Sequence, residues 1–277
     1  MKQIVKNFNN LVKKTIFKVK NKTNNNFTIS SFNKYLITAV SLLFFYLFYL
    51  LIPTFYDKTW VQTNIKSKLF NEFKINVSTI GDISYRILPK PHFLIKNSKI
   101  LVKNVEKKKV IEIKTLKIFI DQSSFLDKEK MSIKELKLNN VNFSLLRDNL
   151  SLLSSISNNK FSNKKIIVNN SNIFFRDNSG QIVTIIKILR SLLFFDEKKS
   201  LNIFNLNGEV FNVPFQINLK NEINYTNNKK INIDVKNLRL NFFNESNKTS
   251  QNSISGKNII SFLDSKINTK YDIKKKN

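Results

Sequence analysis

The sequence contains no cysteine, one histidine, four glycines and four prolines in 277 residues. Without cysteine there are no disulfides and no thiolate metal sites, and the redox compartment stays open. With His92 alone, neither a histidine zinc site, a Ser-His-Asp triad nor a histidine relay can be assembled. Gly-x-Ser-x-Gly, His-Glu-x-x-His, Gly-rich phosphate loops and Asp-x-Asp pairs are absent, so nothing points to an enzyme or to a bound cofactor. His92 itself, just after Pro91 at a strand start, reads as a surface or half-buried histidine. Acidic residues are also scarce: 19 Asp and Glu against 47 Lys and Arg leave a net charge of +28. Such a charge can serve nucleic acid or an anionic membrane. Here, however, the lysines are spread through the chain and alternate with apolar residues, as solvent-facing positions do in a chain rich in Lys, Asn and Ile. A nucleic-acid module interleaves aromatics with arginine. This chain has 25 Phe and few Arg, and many Phe fall at inward strand positions, so nucleic acid is not expected as a partner.

Charge is missing altogether from one long stretch. Tyr35 to Phe55 reads YLITAVSLLFFYLFYLLIPTF. At about 1.5 Å per residue this run spans roughly 30 Å, the thickness of a bilayer's hydrocarbon core. Tyr35 lies at one end and Phe55, Tyr56 and Trp60 at the other, where rings favour the interface. Pro53-Thr54-Phe55-Tyr56-Asp57 offers no small-x-small cleavage site. The reading is a retained transmembrane anchor over 35–56. Residues 1–34 hold eight lysines and no acidic residue, which suits a cytoplasmic tail. The twenty residues before the anchor hold four lysines and residues 57–76 also four, so only the whole tail favours an inside N-terminus.

After the anchor, Val61, Ile65, Leu69 and Phe73 form an i, i+4 stripe on a short amphipathic helix. It would cap a sheet core, lie near the membrane surface, or both. From Lys74 the apolar period becomes two. Ile75/Val77/Thr79 and Ile83/Tyr85/Ile87 flank Gly81-Asp82, read as a tight turn with Gly at positive φ. Pro89 and Pro91 break the ladder. His92–Val102 and Val110–Ile120 are strands, the second with a phase slip that one extra residue near Thr115, a β-bulge, would explain. Ile133–Leu138 and Val141/Phe143/Leu145 are joined by Asn139-Asn140, read as a two-residue turn. Leu150–Ile156 reads as a short helix, Ile166–Arg176 as a strand closed by Asp177-Asn178-Ser179-Gly180, and Ile182–Phe195 as strand or helix. Leu201–Leu206 and Glu209–Leu219 pair across Asn207-Gly208, and Pro214 marks an edge or bulge. Ile223/Tyr225, Ile231/Ile233/Val235 and Leu238/Leu240/Phe242 continue the alternation. Arg147-Asp148 and Arg176-Asp177 read as salt-bridged turns and Asp196-Glu197 as a solvated one. This is a mainly β chain with a long antiparallel series of strands, each with an apolar and an Asn/Lys face. The apolar face must be buried, either in a sandwich or along a groove holding something apolar.

A basic tail, one anchor, an amphipathic helix and then NVSTIGDISYRILPKPHFLIKNSKI resemble the start of AsmA-like proteins. The matching positions are Gly81, Ile83, Leu88, Pro89, Pro91, Leu94, Ile95 and Asn97. KELKLNNVNFSLLRDN, IIVNNSNIFFRDNSG and NLNGEVFNVPFQINL extend the resemblance over most of 35–245. It implies a Gram-negative inner-membrane protein with a periplasmic, curved β-sheet forming a groove, linked to phospholipid transport and outer-membrane assembly, with envelope proteins as further partners. Many members are much longer. On this reading 57–243 is the periplasmic β domain and 244–277 a polar linker with a C-terminal segment. The residues expected to line the lipid groove are Phe211, Val213, Phe215, Ile217 and Leu219, on the strand with the longest unbroken alternation. A membrane-anchored scaffold with a filled core and no lipid is the competing expectation.

Overall fold

The computed structural model describes residues 31–73, 75–79, 81–103, 108–149, 159–223, 228–250 and 253–274. The expected helix at Leu150–Ile156, most of the basic tail and Tyr225 lie outside them. The chain divides into two units, 1–49 and 50–277.

The uncharged run is helical. Helix α1 (Ser31–Leu51) passes into a 3-10 turn, Ile52–Phe55, where Pro53 cannot donate to the preceding turn. Ser31–Phe55 is the one helix among the described residues long and apolar enough to cross a membrane. From Ser31 to Phe48 its side chains are exposed all round, Phe44 at 64% and Leu36 at 53%, where a core helix would bury one stripe; only near its end are Leu50 and Pro53 buried. It is compatible with a membrane anchor.

Among its described residues the second unit has one α-helix and one sheet. Asp57 caps helix α2 (Lys58–Phe73): its carboxylate accepts from Trp60 N at 2.7 Å. Val61, Ile65 and Leu69 are 3%, 0% and 1% exposed, so the stripe caps a sheet core. The strands are β1 (Val77–Thr79), β2 (Ile83–Arg86), β3 (His92–Lys103), β4 (Lys108–Ile120), β5 (Ile133–Leu146), β6 (Lys165–Arg176), β7 (Ile182–Asp196), β8 (Leu201–Val210), β9 (Val213–Glu222), β10 (Lys229–Val235), β11 (Leu240–Ser250), β12 (Ser253–Phe262) and β13 (Ser265–Lys274). They form one sheet in the order β1-β3-β4-β5-β6-β7-β8-β9-β10-β11-β12-β13, with β2 also on β3. The sheet is curved and does not close, and among the described residues no second sheet faces it in a sandwich.

Local pairing departs from the sequence reading in several places. β5 and β6 run parallel, from Glu135 beside Lys165 to Leu146 beside Arg176, while every other pair is antiparallel. The connection 147–164 is long enough to return the chain to the start of the next strand, which a hairpin is not. Gly81-Asp82 is not a hairpin: β1 and β2 both pair with β3, and Gly81 is not at positive φ. Gly is used there because a Cβ would overlap the Lys96 carbonyl. Asn139-Asn140 does not reverse the chain either, since β5 runs straight through it.

The phase slip near Thr115 belongs to a crease shared by five strands. Lys96 pairs with Thr115 and Ser98 with Ile113, so one residue is passed over on each strand and no extra residue is inserted. The same happens between Ile113/Val141 and Thr115/Asn139, and between Asn169/Arg190 and Ser171/Ile188. Asn97, Asn140 and Asn170 sit on this line at φ 53°, 56° and 45°, a region asparagine tolerates better than other side chains. Across it the buried positions change phase: Ile113 then Leu116, Leu138 then Val141, Val168 then Ser171. The line ends in a bulge at Leu189, because Ile188 faces Gly208 and Arg190 faces Asn207.

The hairpin expected at Asn207-Gly208 lies further on. β8 continues to Val210, and the turn is Phe211-Asn212, at φ 51° and 61°. Gly208 lies under the ring of Phe215, its partner across the strands, and a Cβ there would sit 2.8 Å from that ring. Pro214 is on an interior strand but beyond the β9–β10 ladder, whose last pair is Gln216–Asp234, so its missing N–H breaks no bond to β10. Residues 244–257 are not a linker: they form most of β11 and the start of β12. Their polar side chains pair across strands, Asn244 Nδ2 donating to Asn258 Oδ1 at 2.8 Å and Glu245 accepting from Lys230 and Lys257 at 3.0 and 2.9 Å.

Candidate apolar groove

The interior is filled at one side of the sheet and open at the other. Against β1–β5, helix α2 and the segment 121–131 close a dry core: Ile65, Ile95, Ile118, Ile133, Leu136 and Val141 are all 0% exposed. From β6 onward the buried apolar residues among those described are Val168, Ile188, Phe195 and Leu206, at 6–8%. Asn202, 0% exposed, ties down the segment before β6 at the edge of this region, accepting from Phe161 N at 2.9 Å and donating to the Asn159 carbonyl at 2.7 Å.

On β8–β13 the register sets one apolar row across six strands. Leu206 faces Ile217, which faces Ile233, then Phe242, Ile260 and Ile267. Phe204, Leu219 and Ile231 form a second row two residues away, continued by Asn244, Asn258 and Thr269. Phe215 lies on the other side of the first row, with Val235, Leu240 and Phe262. Ile217, Ile233 and Phe242 are half-buried, while Ile260, Phe262 and Ile267 are 36%, 50% and 59% exposed. Directly opposed residues share a face, so the reverse side carries Asn205, Asn218, Asn232 and Asn268, with Leu201, Ile203, Phe243 and Ile259 as its apolar exceptions.

Four of the five residues expected to line the groove lie on this face of β9: Val213, Phe215, Ile217 and Leu219 are half-buried and alternate with exposed Pro214, Gln216 and Asn218. Phe211 does not. It occupies the turn and is 79% exposed, because the chain reverses where alternation alone would continue the strand. The expectation from β9 alone also missed the partners on β8, β10, β11, β12 and β13. Their apolar residues were legible, but the register aligning them was not.

The family-motif residues sit elsewhere. Gly81 packs against Lys96, Pro89 is exposed and Pro91 buried between β2 and β3. Pro91 lines a polar cleft of about 270 Å³ with Lys90, Phe119, Asp121, Gln122, Lys134 and Glu135. His92 beside it is 2% exposed, not at the surface. Its Nδ1 lies 2.7 Å from the Lys90 carbonyl and its ring is 5.1 Å from that of Phe119, and burial lowers its pKa. Among the described residues no three His, Cys, Asp or Glu converge as metal ligands. Arg176 donates to the Gly180 carbonyl at 2.7 Å, while Asp177 closes the turn by accepting from Ser179 and Gln181. Asp196 accepts from Lys198 N and Lys199 N in an exposed turn.

Comparison with known protein families and with curated proteins finds no match for this chain.

Proposed function

We propose that this chain is an AsmA-like, membrane-anchored protein that binds phospholipid along the apolar face of β8–β13 and supports lipid transport to, or assembly of, an outer membrane. One observation carries the reading: the row Leu206–Ile217–Ile233–Phe242–Ile260–Ile267 runs unbroken across six strands of a curved, unclosed sheet, buried at Leu206, half-buried from Ile217 to Phe242 and exposed at Ile260 and Ile267. Acyl chains laid along this row complete its burial at about 0.8 kcal/mol per CH₂. At about 4.8 Å per strand the six strands span roughly 24 Å, comparable with an extended palmitoyl chain. Many similar contacts along the row allow a chain to slide. The chemistry is binding and transfer, without a catalytic step.

The anchor sits in the inner membrane, the lysine-rich tail is cytoplasmic and residues 57–277 are periplasmic. An alkaline phosphatase fused after Asn277 is then active, and an inactive fusion overturns this orientation. For the groove, phospholipid is counted in detergent-purified full-length protein and in Ile233→Asp. Loss of bound phospholipid with a near-native circular dichroism spectrum supports the groove. Equal phospholipid in both proteins leaves lipid only around the anchor and favours a scaffold.

A further inference from the structure

Polar residues on the apolar face of β8–β13 are not scattered. One row crosses the strands as Asn202, Asn221, Lys229, Ser246, Gly256 and Tyr271. It lies two residues beyond the Phe204/Leu219/Ile231 row, about 7 Å along the strands, and so forms one lip of the apolar strip. Asn221 and Ser246 are 5% and 9% exposed and oppose Lys229 on either side. Toward β13 the lip widens: Asn244 Nδ2 donates to Tyr271 Oη and to Asn258 Oδ1, both at 2.8 Å.

Charge on this face has one sign. Lys229 and, one row further at the exposed end of β11, Lys248 are its only ionisable cations at described strand positions. The carboxylates of these strands, Glu209, Glu222, Asp234, Glu245 and Asp272, fall in the opposite phase, and Glu245 is held there by Lys230 and Lys257. Lys229 is half-buried, and that burial lowers its pKa; a charge-assisted hydrogen bond to an anion favours its charged form.

Resting on the groove reading, we propose that this lip is a headgroup site selective for an anionic phospholipid, with Lys229 taking the phosphate while the acyl chains lie along the Leu206–Ile267 row. Ser246 and Asn221 add neutral hydrogen-bonding groups beside the ammonium. A zwitterionic phosphatidylethanolamine binds less well, because its own ammonium balances the phosphate and meets a lip that already carries positive charge.

The test uses the full-length protein in detergent with a benzophenone side chain in place of Phe242, four residues along the apolar face from Ser246. Light-driven cross-linking is measured with phosphatidylglycerol and with phosphatidylethanolamine at equal concentration. The expected result is a preference of roughly five- to ten-fold for phosphatidylglycerol, the size a single charge-assisted hydrogen bond supports. Lys229→Gln should abolish that preference, Lys229→Arg should keep it, and Lys220→Gln, on the opposite face, should leave it unchanged. Cross-linking of both lipids with a ratio insensitive to Lys229→Gln overturns the headgroup site and leaves the groove standing. Cross-linking of neither lipid overturns the groove and the site together.

Discussion

His92 is buried, and burial is the largest of the causes that lower its pKa below 6.5, ahead of the charges of Lys117 and Arg86. A depressed basic group must lose stability on protonation: its contribution is present above the unfolded value of 6.5 and is lost as pH falls below it. Thermal melting should therefore weaken between about pH 7 and 5 in the native protein, and His92→Gln should flatten that window. Glu245 acts lower. Hydrogen bonds from Lys257, Lys230 and Asn228 pull its carboxyl to about 2 from 4.5, so its contribution is present above 4.5 and lost as pH falls toward 2. Glu245→Gln should change the acid limb below 4.5 and leave the histidine window intact. Gly208 is set by the Phe215 ring and the Lys187 carbonyl, each 2.8 Å from a would-be Cβ, and not by a turn, and Gly208→Val should displace both and cost about 1–3 kcal/mol in chemical denaturation. Here the sequence misleads for a physical reason. Asn-Gly marks a turn because both residues accept positive φ, yet a glycine under an aromatic ring leaves the same letters, and Phe211-Asn212 takes the turn instead.

At the scale of elements, the alternation made most strands legible, since period two survives any pairing. Pairing itself was not legible where asparagine intervened. Asn139-Asn140 looks like a hairpin turn because Asn140 can adopt positive φ, and it does so at 56°, but within a continuous strand. The chain continues because its neighbours crease along the same line, so cross-strand bonds resume on the far side in unchanged register. Only the third dimension reveals that the slip in β4 and the Asn pairs of β5 and β6 are one feature. Asn140→Val should cost about 1–2 kcal/mol in urea unfolding, since a β-branched residue resists that φ, whereas Asn140→Gly should be close to neutral. Equal losses for both would mean that the asparagine side chain, not its backbone, holds the crease. The parallel β5–β6 pair escaped the reading because a strand's face pattern carries no direction.

Across the whole β unit, burial falls from α2 and β1–β5 toward β13. Leu136→Ala in the filled part should cost about 2–5 kcal/mol, because the cavity cannot collapse. Ile233→Ala on the open face should cost clearly less, since its side chain already keeps contact with solvent. The apolar residues of this face were readable one strand at a time; Val213, Phe215, Ile217 and Leu219 show it. Their union into a row across six strands depends on register, which no single segment encodes. The absence of cysteine makes that row directly measurable. Single cysteines replacing Ile217, Ile233 or Ile260, and replacing Gln216, Asn232 or Ser261 one residue away, can each carry an environment-sensitive fluorophore in the full-length protein. Quenching by a phospholipid with a spin label on its acyl chain should alternate with strand position, strong at the three isoleucine sites and weak at the three polar-face sites. Quenching that is equal on both faces, or absent from both, would contradict a lipid-binding apolar face.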